Sequence, residues 1–222
     1  MDLAIAMTTA PRKEPTVKRS IASLRRAGFE ETVHVFAEPG SFGHGLPEDP
    51  KLEIHMNDVK RGCFQNWKYA VTKMLELSPA PWILIVQDDA IWQRGSADIL
   101  KSRMAVQQDR RTGFLSLYAS SANVKGNFQR GWNATDAGWG FWGAVALCLK
   151  RVAAEELLQQ KHFVAHKGPQ QVDAIVAKSM LALKRPCYIH VPSMVDHIGN
   201  TSTIGNGGIS QGRRGYRFRG RV

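Results

Sequence analysis

Apolar runs and helical stripes alternate along the first half of the chain. LAIAM (3–7) is an unbroken apolar run of the length of a buried strand. In TVKRSIASLRRAG (16–28), Val17, Ile21 and Leu24 recur on one face, with Pro15 just before and Gly28 at the end, which predicts an amphipathic helix. TVHVFAE (32–38) reads as a second strand, and the glycine- and proline-rich stretch 39–50 as a loop. KLEIHM (51–56) is a third strand. From Cys63 onward, Phe64, Trp67, Val71 and Met74 fall at helical spacing, and the run Trp82–Val86 is a fourth, buried strand.

The second half is less regular. GFLSLYAS (113–120), WGAVALCLK (142–150) and CYIHVPS (187–193) have the composition of strands, and RVAAEELLQQ (151–160) that of a helix. VDAIVAKSMLALK (172–184) is a helix with Val172, Ile175, Val176, Met180 and Leu183 on its apolar face. The glycine- and tryptophan-rich GNFQRGWNATDAGWGFWG reads as too irregular for a core element. Strands alternating with helices predict a single α/β domain over 1–204, with a mostly parallel central sheet, followed by a Gly/Arg tail over 205–222. Ligands of such sheets bind beyond the carboxyl ends of the strands. Thr8, Thr9, Glu38, Asp88 and Asp89 all stand at such ends.

Size and composition change this picture little. The 222 residues, 43% hydrophobic and 22% charged, fit one globular core. The start, MDLAIAMTTAPRK, carries an acid at position 2 and a short apolar run, so it reads as a strand rather than a signal peptide, and a cytoplasmic protein is expected. Cys63, Cys148 and Cys187 are far apart and form no CxxC pair, so they are expected to be reduced, core-filling thiols. No HExxH or Walker A pattern occurs.

Charge changes it more. The net charge of +11 suggests a polyanionic partner: nucleic acid, an anionic membrane surface or a phosphorylated substrate. No acidic residue follows Asp196, whereas Arg213, Arg214, Arg217, Arg219 and Arg221 crowd the end of the chain. Such a tail reads as a disordered, solvated end, as a segment that closes over a bound diphosphate, or as one that tracks the phosphates of DNA; of the two functional readings the last is expected.

The adjacent acids Asp88 and Asp89 end an apolar run and are followed at once by Ala90, Ile91 and Trp92. Two such carboxylates repel one another, and a hard divalent cation, Mn²⁺ or Mg²⁺, offsets that charge. A carboxylate at a strand end is also a common helix cap. His197, in PSMVDHIGNTS, gains its interest from the combination.

That combination resembles the nucleotide-sugar-dependent glycosyltransferases of the GT-A fold. The resemblance rests on AMTTAPRK after the first strand, GCFQNWKYA opening a helix, QDD at a strand end, GWGFWG, an acid opening a later helix, and PSMVDHIGNTS. It implies a UDP-sugar donor, with Asp89 and His197 as metal ligands and Asp88 at the metal's water shell or the donor's ribose. Thr8, Thr9, Arg12 and Glu38 would line the nucleotide pocket, and Asn66 and Lys68 would approach ribose or phosphate. Asp173 is the implied general base, with Asp136 in reserve, and Trp139 and Trp142 would shape the sugar or acceptor site. Gln87 stands where many relatives carry an acid, which weakens the expected metal affinity. A base at Asp173 would imply inversion at the sugar carbon.

The acceptor is not written in these motifs. The basic chain favours a hydroxymethylated base in phage-type DNA over a glycan or other small acceptor. Two other classes use the same residues: a metal-dependent nuclease built on Asp88, Asp89 and His197, and a non-catalytic nucleic-acid-binding protein.

Overall fold

The computed structural model describes all residues except 1, 44, 46, 122, 123, 125–127, 136–140, 142, 169–171, 199–213, 221 and 222. The chain opens with β1 (Leu3–Thr9), α1 (Val17–Arg26), β2 (Val33–Ala37) and β3 (Leu52–Met56). It continues through α2 (Cys63–Leu77), β4 (Trp82–Gln87), β5 (Ala90–Trp92) and α3 (Ser96–Val106). The second half contains β6 (Phe114–Ser116), β7 (Gly131–Thr135), β8 (Ala146–Lys150), α4 (Arg151–Gln159), α5 (Lys161–Ala165), α6 (Val172–Ala182), β9 (Cys187–Val191) and β10 (Val195–His197).

Eight strands form one sheet in the order β3-β2-β1-β4-β8-β6-β9-β7, and β5 pairs with β10 in a separate antiparallel ribbon. β3, β2, β1 and β4 are mutually parallel; β8 and β7 run against their neighbours. The sheet is the expected mixed α/β one, parallel in its first half. One expectation fails: Gly131–Thr135, inside the stretch read as too irregular for the core, is the edge strand β7, paired to β9. An edge strand needs little apolar alternation, because only one flank and part of one face are covered.

Both faces of the sheet are packed. α2, α4, α5 and α6 cover one through Phe64, Trp67, Met74, Leu157, Phe163 and Val176. The other is covered by α1 and α3 through Val17, Ile21, Leu24, Leu100 and Met104. Such two-sided cover is why β1 and β4 read as unbroken apolar runs. Of the stripe expected on 172–184, Val172, Ile175, Val176 and Met180 are buried, whereas Leu183 lies past the helix end. The cysteines are free, with Cys148 and Cys187 buried. Among the described residues, no helix is long and apolar enough to cross a membrane.

This topology selects one edge of the molecule. From β1 the chain moves to β2 on one side, and β4 lies on the other, so the strand order reverses between β1 and β4. In open α/β sheets the crevice beyond that point is where ligands bind. The parallel register sets Thr8 beside Gln87, and so brings Thr9, Asp88 and Asp89 to the same edge.

Candidate active site at the carboxyl edge of the sheet

Asp88 is buried at this edge and held by two partners. Arg12, from the loop after β1, donates Nη2–H to Oδ1 at 2.6 Å and Nε–H toward both carboxylate oxygens at 3.0 and 3.1 Å. The Thr9 hydroxyl donates to Oδ2 at 2.7 Å. The same Arg12 Nη2 lies 3.3 Å from Asp89 Oδ2. The repulsion between the adjacent acids is therefore met first by Arg12, a role the sequence reading did not give it. Burial pushes the Asp88 carboxyl up, while Arg12, Asp89's charge aside, and the Thr9 hydroxyl pull it back. Burial also works against the guanidinium, yet Asp88 and Asp89 outweigh it and hold Arg12 above its ordinary value.

Asp89 is different. Its Oδ1 is buried and has no hydrogen-bond partner among the described residues. A buried carboxylate oxygen without a donor is costly, and a cation satisfies it. Its backbone carbonyl accepts the N–H of Ile198 at 2.9 Å, and β10 sets His197 opposite Ala90, next along the chain from Asp89. The imidazole of His197 lies against Tyr118, ring centroids 5.8 Å apart. The β5–β10 ribbon thus sets the backbones of Asp89 and His197 close to one another.

The end of the chain returns to the same place. Ser121 N–H donates to the Arg214 carbonyl, Tyr216 N–H to Ala119 and Ser193 N–H to the Tyr216 carbonyl. Gly215 donates its N–H to Asp196 Oδ1 at 2.8 Å, and Arg214 Nη1–H donates to the carbonyl of His197 at 2.9 Å. The approach is so close that a Cβ on Gly215 would sit 2.7 Å from the Val195 carbonyl oxygen. Arg214 therefore stands beside His197. Arg213 and Arg221 lie outside the described residues.

Asp173, in the first turn of α6, is half-buried and its Oδ1 accepts the N–H of Ala174 at 3.1 Å. Cys63, at the start of α2, lies between the groups: burial first, then the charges of Asp173, Asp88 and Asp89, push its thiol up to about 11 against the opposing Arg12. At this value Cys63 is a protonated thiol and no nucleophile.

Other expected residues are occupied differently. Glu38 is buried and accepts the N–H groups of Arg61 and Gly62 at 2.8 and 3.1 Å, fixing the entry to α2, where Gly62 adopts a φ of 79°. Asn66 donates to the Phe36 carbonyl and accepts from Asn57, tying α2 to the ends of β2 and β3. Lys68 lies over the Phe163 ring at 5.7 Å. Thr8 is within the β1–β4 ladder. Asp136, Trp139 and Trp142 lie outside the described residues. Thr9, Ala10, Arg12, Thr16, Phe42 and Asp88 line a cavity of about 90 Å³.

Removing Arg12 strips Asp88 of its main partner. Arg12→Ala is expected to cost about 3 kcal/mol, the lower end for breaking a buried pair, because Asp88 can take up a proton instead of staying charged. Urea unfolding checks this, and the double variant with Asp88→Asn should lose less than the sum of the two singles.

No protein-family pattern matches the sequence, and no curated protein is significantly similar to it. Among solved structures, the fold is similar to the mannosyltransferase PcManGT from Pyrobaculum calidifontis in complex with GDP-Man and Mn²⁺, at a TM-score of 0.51 and 12% identity over 86% of this chain. This chain spans 55% of the length of that one. It is also similar to A197 from STIV, at a TM-score of 0.50 and 8% identity, covering 90% of this chain and 86% of that. At such identities the likeness is one of fold.

Proposed function

We propose that the protein transfers a sugar from a nucleoside-diphosphate sugar to an acceptor hydroxyl, using a divalent cation held by Asp89 and His197. The observation that carries this reading is the unpartnered buried oxygen of Asp89 at the strand-order reversal. The fold's likeness to a mannosyltransferase bound to GDP-Man and Mn²⁺ supports it. The donor set, one carboxylate and one imidazole, would accept Mn²⁺ or Mg²⁺ with the remaining positions left to phosphate and water. Bound there, the ion offsets the charge that builds on the departing diphosphate.

The chain's own residues do the rest. The cavity beside Thr9 and Phe42 takes a ring of the donor; its 90 Å³ is too small for a whole sugar nucleotide, so the remainder lies across the open edge. Asp88 keeps Arg12 and Thr9 in place. Arg12 and Arg214 flank the position of the diphosphate. Asp173 accepts the acceptor hydroxyl's proton as that oxygen bonds to the sugar carbon and the bond to the diphosphate breaks. Uridine is the donor base that the sequence motifs favour.

For the acceptor, a polyanion such as modified DNA is favoured by the charge of +11 and by a groove along α1. Lys18, Arg19 and Arg26 line that groove above Ile91, and none of the three is in an ion pair among the described residues. Fluorescence anisotropy with duplex DNA across a salt series tests it: affinity should fall steeply with salt, and absence of binding favours a small acceptor.

The packing of Arg214 against His197 supports the donor side for this part of the tail. Deleting residues 213–222 is therefore expected to weaken nucleoside-diphosphate binding more than DNA binding. Calorimetry on the truncated and full-length proteins checks it. The reverse result would return the tail to the acceptor.

A further inference from the structure

His34 on β2 and Glu53 on β3 are register partners, and His55 lies two residues further along β3. Alternation along a strand puts all three on one face of this edge pair. His34 Nδ1 is 3.1 Å from His55 Nε2 and 3.3 Å from Glu53 Oε2. The ring centroids are 5.3 Å apart and the planes within 21°, so the two imidazoles meet edge to edge with these nitrogens facing each other. All three ligand atoms lie within 4.8 Å of one another.

Protons alone satisfy this cluster poorly. A proton on His34 Nδ1 can point at His55 or at Glu53, not squarely at both. A proton on His55 Nε2 leaves the His34 lone pair facing a carboxylate. A dication facing all three lone pairs satisfies them together. In a tetrahedral zinc site, ligand atoms about 2.0–2.2 Å from the ion lie about 3.3 Å from each other, close to the two separations from His34.

We propose that His34, Glu53 and His55 form a binding site for a borderline divalent cation, Zn²⁺ foremost, separate from the site at Asp89 and His197. His34 and Glu53 stand three residues before the ends of β2 and β3, about 10 Å back along the strands, and His55 one residue before the end of β3. Its donors differ as well: two imidazoles and one carboxylate suit Zn²⁺, whereas carboxylates and phosphates suit Mn²⁺ and Mg²⁺. The Phe36 ring stacks on His55 at 4.7 Å and fixes its orientation. The Glu53 side chain is 58% exposed, so an ion enters from solvent and keeps a fourth position for water. The consequence is structural. The ion ties the edge strand β3 to β2, just before Asn57 and the loop that enters α2.

The test uses full-length protein stripped of metal and titrated with Zn²⁺ against a chromophoric chelator, beside the Asp89→Ala variant. The parent and Asp89→Ala should both bind a Zn²⁺, His34→Ala and His55→Ala should lose it, and Glu53→Gln should bind more weakly. Zn²⁺ should raise the Tm of the parent but not that of the histidine variants, since only a folded site gains from the ion. Glu53→Gln changes an exposed side chain and keeps the test valid if a histidine variant does not fold. Failure of the parent to compete for Zn²⁺ overturns the proposal, and so does undiminished binding by Glu53→Gln together with either histidine variant.

Discussion

Asp89→Ala is expected to lower sugar transfer by about two to three orders of magnitude, the usual loss when charge stabilisation of a leaving group is removed. The protein should stay folded. Asp88 keeps Arg12 and Thr9, and the carboxylate removed is one whose Oδ1 has no hydrogen-bond partner among the described residues. Its loss removes an unsatisfied buried oxygen and only the longer of the two Arg12 ion pairs, at 3.3 Å, while the 2.6 Å pair with Asp88 remains. His197→Ala should weaken metal-dependent nucleotide binding more mildly, since the β5–β10 backbone pairing that places it persists. Titrating nucleoside diphosphate with and without Mn²⁺ separates the two effects. Unchanged metal-dependent affinity in both variants would reject the metal assignment.

Asp173→Asn is expected to leave nucleotide-sugar binding nearly intact while lowering turnover by about two to four orders of magnitude, the contribution of a positioned general base. The expectation rests on its half-buried place beside, not in, the apolar stripe of α6. The competing role is also visible: Asp173 opens α6, where an acid favours the helix dipole. Saturating single-turnover kinetics distinguish them. A variant that turns over at the parent rate is one whose Asp173 only starts a helix, and Asp136 is then the next base to test.

The first half of the fold was legible because buried parallel strands announce themselves: β1 and β4 are apolar on both faces, and α1 and α2 carry clear stripes. The later elements hide for physical reasons. β5 and β10 are three-residue strands. α3 buries only Ser96, Ala97, Leu100 and Met104, and its Gly95 cap offers no side-chain start signal. At the site, strand-end position pointed to Thr9, Asp88 and Asp89. The pairing of Arg12 with both acids was not legible, because it depends on the β1–β4 register and on the loop folding back. Arg214 is nineteen residues nearer the C-terminus than Val195, and only the return of the chain beside β10 brings it to His197. The His34 cluster needs two strands in register, so neither strand alone carries a metal signature.

The most direct measurement is release of nucleoside diphosphate from a panel of UDP- and GDP-sugars, by the parent and Asp89→Ala, with Mn²⁺ or with a chelator. Release by the parent from at least one donor, dependent on the metal and lost in Asp89→Ala, is the predicted result. No release from any donor, even with hydroxymethylated DNA and simple glycans as acceptors, or equal release by both proteins, would contradict a glycosyltransferase working through Asp89.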